Sequence, residues 1–295
     1  MTTTATISEI FLSIEGEAMF AGYPTAYIRF SGCNFKCQGF NNPEMVEITN
    51  EVLGFDPADY IKLDDLPMIT KGCDSIYSWD PRFKHLWKKY EITDLAEAVT
   101  NLLPNHNWRS KSGLPYILSL TGGEPTLRGK QIVELLNEPT LTIVSTVIIE
   151  TNCSVPLKQF FIDGLKEWVF DGALKGLNRT IVWSNSPKLS VSGEKRKIAI
   201  NSSIATLQRY VPNSIQYFKF VCGDNIADFD EVASVMKEYS ANDSSANLKV
   251  YIMPMACTEE QQQEISKGVA LKCIERGYIY CHRVHASVFG NTIGT

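Results

Sequence analysis

"LSLTGGEPTL", residues 118–127, passes from an alternating apolar segment through a Gly-Gly turn into a stretch that reads as the start of a helix. It is the junction of a strand-helix unit, and the runs around it repeat that unit. Segments rich in β-branched and aromatic residues begin at residues 26 ("AYIRF"), 116 ("YILSL"), 146 ("TVIIE"), 180 ("TIVWS"), 217 ("YFKFV"), 249 ("KVYIM") and 278 ("YIYCH"). From the second onward their starts lie about 30 residues apart, the length of one strand plus one helix. This alternation predicts an α/β fold with a parallel sheet, either open or curved into a partial β/α barrel.

Helical patterns fill the gaps. "TDLAEAVTNLL" begins with Thr93 and Asp94 as capping residues and places Leu95, Val99, Leu102 and Leu103 on one face. "TEEQQQEISKGVALKCIERG" has early acids, a late Arg276 and Gly277 as its stop. Residues 38–72 break the rhythm: the stretch is acidic, holds three prolines and has weak periodicity, so it reads as an insertion in the first strand-to-helix connection. With no internal repeat or linker, residues 1–295 are expected to form a single domain.

The apolar fraction of 44% is ordinary for a globular chain. A net charge of −5 argues against a general polyanion-binding surface, and so against nucleic acid as a direct partner. The N-terminus has no basic segment leading into an apolar run, and no apolar stretch approaches the ~20 residues of a membrane-spanning helix. A cytoplasmic location without membrane attachment is expected. Eight cysteines in such a chain read as reduced thiols or metal ligands, most of them simply buried.

Polar groups follow the predicted strands: "IETN" at 149–152, "SNSPK" at 184–188, "KFVCGD" at 219–224, "MPM" at 253–255 and "HRVH" at 282–285. In β/α barrels such ends converge on one mouth. Gly122 and Gly123 leave backbone N–H groups open to a carboxylate, and Glu124 offers an acceptor for an ammonium group, a set that suits an amino-acid moiety. A Gly-Gly turn by itself is usually only a turn.

"SGCNFKCQGFNNPEM", residues 31–45, sets Cys33 and Cys37 four apart and puts Phe40 where a third cysteine would complete Cys-x3-Cys-x2-Cys. Cys73 opens "CDSIYSWD". If residues 38–72 loop out, their two ends meet and Cys73 joins the pair, at an entropic cost of roughly 0.6 kcal/mol per doubling of loop length. Three cysteines would leave one iron of a 4Fe-4S cluster open. The same residues alone fit a buried structural pair equally well, and Cys3His zinc with His282 or His285 is a further option.

Read in order from residue 9 to about 291, "EIFLSIEGEAMFAGYPTAYIRFSGCNFKC", "CDSIYSWD", "TGGEP", "IETN", "SPK", "FKFV" and "HRVHASVFGN" resemble the 7-carboxy-7-deazaguanine synthases of the radical S-adenosylmethionine (SAM) superfamily. The resemblance implies a partial (β/α)6 barrel with the 38–72 insertion inside the cluster-binding loop. It implies Cys33, Cys37 and Cys73 as 4Fe-4S ligands in a split Cys-x3-Cys-x35-Cys motif, and SAM held by Gly122, Gly123 and Glu124, with Glu150 and Ser186 beside it. Glu15, Gly16, Glu17 and Arg29 would contact substrate, and Ser75 would ligate magnesium. Glu15 stands where the family has glutamine, and Ala18 where it has a last glycine. Because an ionised glutamate only accepts hydrogen bonds, the Glu15 exchange is expected to alter the pterin contact or move its protonation preference.

The implied reaction is a lyase step of queuosine-type 7-deazaguanine biosynthesis. It turns 6-carboxy-5,6,7,8-tetrahydropterin into 7-carboxy-7-deazaguanine with loss of ammonia. An electron donor such as flavodoxin or ferredoxin is implied as partner, and a homodimer as assembly. The rival readings are a glycyl-radical-enzyme activase, because "GFNNP" also resembles a degraded activase motif, and a non-catalytic metal-binding regulatory protein.

Overall fold

A computed structural model describes residues 3–241, 248–290 and 292–294. Asn291, the last residue of the closing motif, lies outside the described residues. The strands are β1 (Thr4–Ile14), β2 (Pro24–Phe30), β3 (Lys88–Glu91), β4 (Ile117–Gly122), β5 (Thr146–Thr151), β6 (Thr180–Asn185), β7 (Ser214–Cys222), β8 (Lys249–Pro254) and β9 (Ile279–Tyr280). They form one sheet in the order β3-β1-β2-β4-β5-β6-β7-β8-β9. From β2 through β4 to β9 every pairing is parallel, while β1 runs antiparallel to both β2 and β3. Each of the seven apolar runs falls on one of these parallel strands.

Two strands escaped the sequence reading, for different reasons. β1 carries a register shift between Ile7 and Glu9, so its alternation breaks in the middle. β3 is the four-residue edge segment "KKYE", which has no apolar row to read.

The helices are α1 (Asn50–Leu53), α2 (Ile92–Asn101), α3 (Gly129–Leu136), α4 (Gln159–Leu174), α5 (Arg196–Ala199), α6 (Ser202–Gln208), α7 (Ile226–Ala241), α8 (Glu259–Arg276) and α9 (Val284–Phe289). No helix among the described residues is long and apolar enough to cross a membrane. Side chains alternate across a strand, and one row joins the main apolar core that α2, α3, α4 and α7 complete. Leu118 and Leu120, Ile181 and Trp183, and Phe218 and Phe220 belong to that row. The opposite row starts apolar, with Ile117, Ile148, Val182, Tyr217 and Tyr251 in a smaller cluster. Farther along the same row come Arg29, Thr121, Glu150, Ser184 and Lys219. The sheet therefore has one greasy face and one face that becomes polar toward its C-terminal edge.

Helix α2 starts earlier than its sequence suggested. Thr93 and Asp94 lie inside the first turn, and Glu91 occupies the N-cap, its side chain not capping the helix. The chain passes directly from β3 into the helix, and the Ile92 N–H donates to the Thr3 carbonyl at 3.1 Å, so an orphan donor is satisfied by backbone instead of a cap. Thr93 Oγ1 donates to Glu138 Oε1 at 3.2 Å.

Residues 38–72 fold as a flap of short turns over their own apolar cluster, in which Ile48, Leu66 and Ile69 pack with Ile76, Tyr77 and Phe83. Its two feet touch: the Gly72 N–H donates to the Phe40 carbonyl at 2.7 Å. Arg82 fastens the flap from below, donating to the Ile48 carbonyl at 2.6 Å and to Asn50 Oδ1 at 2.7 Å.

Helix α8 has a complete capping box between Thr258 and Gln261, and Gly277 ends it with a φ of 72°. Thr258→Ala is expected to cost about 1 kcal/mol of stability, read as a lower urea midpoint at unchanged slope.

Candidate active site

The polar edge of the sheet opens into a cavity of about 240 Å³ to which every parallel strand from β2 to β8, or the loop after it, contributes. Of the thirteen residues singled out in the sequence, twelve line it. They are Glu15, Gly16, Glu17 and Arg29; Cys33, Cys37, Cys73 and Ser75; Gly122 and Gly123; and Glu150 and Ser186.

Glu124 is the exception. Its buried carboxylate accepts from Thr126 N at 3.0 Å, Thr126 Oγ1 at 2.5 Å, Thr151 Oγ1 at 2.7 Å and Asn152 N at 2.7 Å. It is spent on tying the turn after β4 to the end of β5, and it lies behind the cavity wall. Glu124, expected as the ammonium acceptor, is thus placed here as a tether between two strand ends. The turn it fixes is tight: at Gly122, with φ of 130°, a Cβ would lie 2.1 Å from the Phe30 carbonyl oxygen.

Cys33 and Cys37 sit on the loop after β2, and Cys73 follows the far foot of the flap. The three belong to one apolar nest with Phe35, Phe40 and Ala199. Cys37 has φ of 47°, a conformation costing roughly 1–2 kcal/mol for a side-chain-bearing residue. Glu194 Oε1 holds it there by accepting from the Lys36 and Cys37 N–H groups, each at 2.8 Å. Burial, then the charges of neighbouring acids and thiols, pushes the Cys33 thiol up to about 12; burial likewise raises Cys37 and Cys73. Such thiols release their protons when they ligate a cationic group. Among the described residues no three His, Cys, Asp or Glu side chains close around a single metal ion.

A ladder of charge crosses the cavity. Lys219, on β7, is 6% exposed. Its ammonium pairs with the Glu17 carboxylate and stands 3.8 Å from Glu150 Oε2. Arg283 Nε lies 3.5 Å from Glu17 Oε1, and its Nη2 is 3.2 Å from Asp74 Oδ2. Arg29 Nε donates to Glu9 Oε2 at 3.0 Å and its Nη1 to Ser75 Oγ at 3.3 Å. Ser75 Oγ in turn donates to Asp74 Oδ1 at 3.2 Å.

These neighbours separate two glutamates that lie two residues apart. Burial, with the charges of Glu150 and Glu17, pushes Glu15 up to about 8. Glu17 is buried too, but Lys219, Arg283 and His285 outweigh that and hold it down to about 2. Burial pushes His285 down to about 4, against the pull of Glu17. Gly16 makes room for this imidazole, since a Cβ there would fall 1.7 Å from His285 Nδ1.

Sequence reasoning gave no individual role to Lys219, Lys188, Asp74 or Glu9. Lys219 opens "KFVCGD" and Lys188 closes "SNSPK", two of the polar strand ends expected at the mouth, and Lys219 is also the only charge within "YFKFV". Asp74 and Glu9 act through partners distant in sequence, which no local pattern encodes.

No family model matches the chain. A 7-carboxy-7-deazaguanine synthase of Rhodopirellula baltica is 27% identical over 290 residues, 98% of this chain and 88% of that protein. One of Halobacterium salinarum is 25% identical over 97% of this chain and 90% of its own length. Along nearly its whole length the chain is similar to 7-carboxy-7-deazaguanine synthases. The crystal structure of QueE from Escherichia coli shares the fold at a TM-score of 0.52 and 17% identity, covering 96% of this chain and 95% of that one.

Replacing Lys219 with methionine leaves Glu150 without its buried cation and Glu17 with Arg283 alone. The expected loss is about 3–5 kcal/mol at pH 8, and less at pH 5, where the stranded carboxylates can take up protons. Denaturant unfolding at the two pH values checks both the size and the direction.

Proposed function

We propose that this chain is a 7-carboxy-7-deazaguanine synthase, converting 6-carboxy-5,6,7,8-tetrahydropterin to 7-carboxy-7-deazaguanine with release of ammonia in queuosine-type 7-deazaguanine biosynthesis. The observation that carries the reading is the meeting of three cysteine thiols, Cys37 buried and Cys33 and Cys73 half-buried, with the charged strand ends of the sheet in one cavity. Full-length similarity to synthases supports it and does not favour the activase or non-catalytic readings.

The residues fit the cofactors that this function needs. Cys33, Cys37 and Cys73 would hold a 4Fe-4S cluster, the soft thiolates it requires lying together in an apolar nest. Gly122 and Gly123, with Ser186 and Glu150 nearby, line the side of the cavity proposed for SAM. Ser75 and Asp74 offer two hard oxygens 3.2 Å apart, a donor pair that suits magnesium with retained waters. When bound, the cluster and SAM supply the 5'-deoxyadenosyl radical that starts the reaction.

The chain's own work is binding and charge placement. Arg29 presents a guanidinium fork for the substrate carboxylate, held in orientation by Glu9. Glu17, kept ionised by Lys219 and Arg283, offers acceptors to pterin N–H groups. Glu15 retains a proton at neutral pH and so can donate as well as accept, the capacity of the glutamine it replaces. The expected change in pterin contact thereby shrinks to a dependence on pH.

We read the sheet as a partial (β/α)6 barrel and the chain as one radical SAM domain carrying the 38–72 flap in its cluster loop. Strands about 4.8 Å apart would put β2 and β8 roughly 24 Å apart in a flat sheet. Arg29 of β2 and Met253 of β8 nevertheless line the same cavity, which favours curvature. A cytoplasmic homodimer reduced by a flavodoxin or ferredoxin completes the proposal.

Anaerobic incubation of the reconstituted protein with SAM, magnesium, dithionite and 6-carboxytetrahydropterin is expected to yield 5'-deoxyadenosine and 7-carboxy-7-deazaguanine by mass spectrometry. Cys73→Ala should lose both products together with its iron. 5'-Deoxyadenosine without the deazaguanine from the unaltered chain would overturn the substrate assignment.

Glu15 provides a pH test. Its folded pKa, about 8, lies above the ordinary carboxylate value of 4.5, so wild-type stability falls as pH rises between them, while Glu15→Gln has no such loss. The variant should gain in thermal midpoint over wild type from pH 5 to 8. Its KM for the pterin should stay flat above pH 8, where the wild-type value climbs.

A further inference from the structure

The flap, residues 38–72, holds seven Asp and Glu against two Lys and so carries by itself the whole net charge of −5. The remainder of the chain is balanced, and beside the thiol loop its cations gather. Helix α5 packs its buried Ala199 against Phe35 and Cys37 in the nest of the three cysteines. Glu194, just before the helix, accepts from the N–H groups of Lys36 and Cys37. Thus the segment that braces the thiol loop on the inside presents its other side to solvent. Lys195, Arg196, Lys197 and Ile198 are all exposed there, Ile198 by 57%, and Lys36 is exposed on the loop itself. Arg196 is tied to Glu231 and Glu238. Among the described residues Lys36, Lys195 and Lys197 have no ion-pair partner.

An exposed aliphatic side chain on a short segment with two lysines that have no ion-pair partner among the described residues has the composition of a small transient interface, an apolar centre with a charged rim. We infer that residues 195–198, with Lys36, form the docking surface for a small acidic one-electron carrier protein that reduces the centre held by Cys33, Cys37 and Cys73. The inference rests on the cluster reading of those thiols. The exchange is balanced: one electron leaves the carrier's reduced flavin, which becomes the semiquinone, and enters the oxidised 4Fe-4S centre. Charge complementarity selects the occupant, and the acidic flap next to the ridge turns a carrier of the same sign onto the lysines. The path inward is short in sequence and in space, because the docking segment touches the thiol loop through Glu194 and Ala199.

The test uses the reconstituted holoprotein and a reduced acidic flavodoxin at low ionic strength. Binding is followed by calorimetry and electron transfer by the absorbance of the cluster. Lys195→Glu with Lys197→Glu should weaken binding and slow flavodoxin-driven reduction by about tenfold each, with the wild-type rate falling toward the variant's as salt is raised. Reduction by dithionite, which needs no docking, should stay within about twofold of wild type. Ile198→Ala should weaken binding with the salt dependence intact. Equal binding and reduction in wild type and charge-reversed protein would overturn the surface, and so would a parallel loss of dithionite reduction, which would place the lysines in cluster assembly. Docking that follows these expectations in a protein that forms no deazaguanine would sustain the surface and overturn only the substrate reading.

Discussion

Lys219 is the charge around which the cavity is arranged. A buried ammonium is tolerable only when anions meet it, and Glu17, from the turn after β1, and Glu150, from β5, do so. Glu17 is shared with Arg283 from the last loop, and Arg283 reaches Asp74 beside the flap. Asp74 and Ser75 then lead to Arg29 and Glu9. Groups from residue 9 to residue 283 thus alternate in sign around one cavity. The strand ends are held in place by charge as much as by the sheet that delivers them.

That arrangement makes one residue type serve two purposes. Glu15 and Glu17 differ by two positions and both are buried, yet one keeps its proton at neutral pH and the other does not. The cause is the neighbours: Glu15 adds to the anions already facing Lys219, whereas Glu17 takes its position between Lys219 and Arg283. Environments that drive paired carboxyls apart are how a site obtains a donor and an acceptor from the same side chain.

The parallel strands were legible because their apolar runs and spacing are local properties of the chain. The same holds for α8, whose early acids, late Arg276 and closing Gly277 all declare themselves within twenty residues. Glu124 shows the limit. Beside two glycines it reads as a ligand acceptor, but the hydroxyl of Thr151 and the N–H of Asn152 reach it from the next strand and take up its carboxylate. Thr93 fails similarly, since β3 runs straight into the helix and places Thr93 inside its first turn. β1 was hidden by its bulge, and the pairing of Lys219 with Glu17 by the 202 residues that separate them.

The clasp between Phe40 and Gly72 separates where Cys73 lies from how many residues precede it. Whatever the flap contains, its feet return the chain to the same point beside Cys37, and lengthening it adds only a logarithmic entropy cost. Insertions and deletions between residues 41 and 71 are therefore close to invisible to the thiol geometry. A search for relatives by the spacing of their cysteines would pass over chains built in this way, whereas one that matched the segments on either side of the clasp would find them.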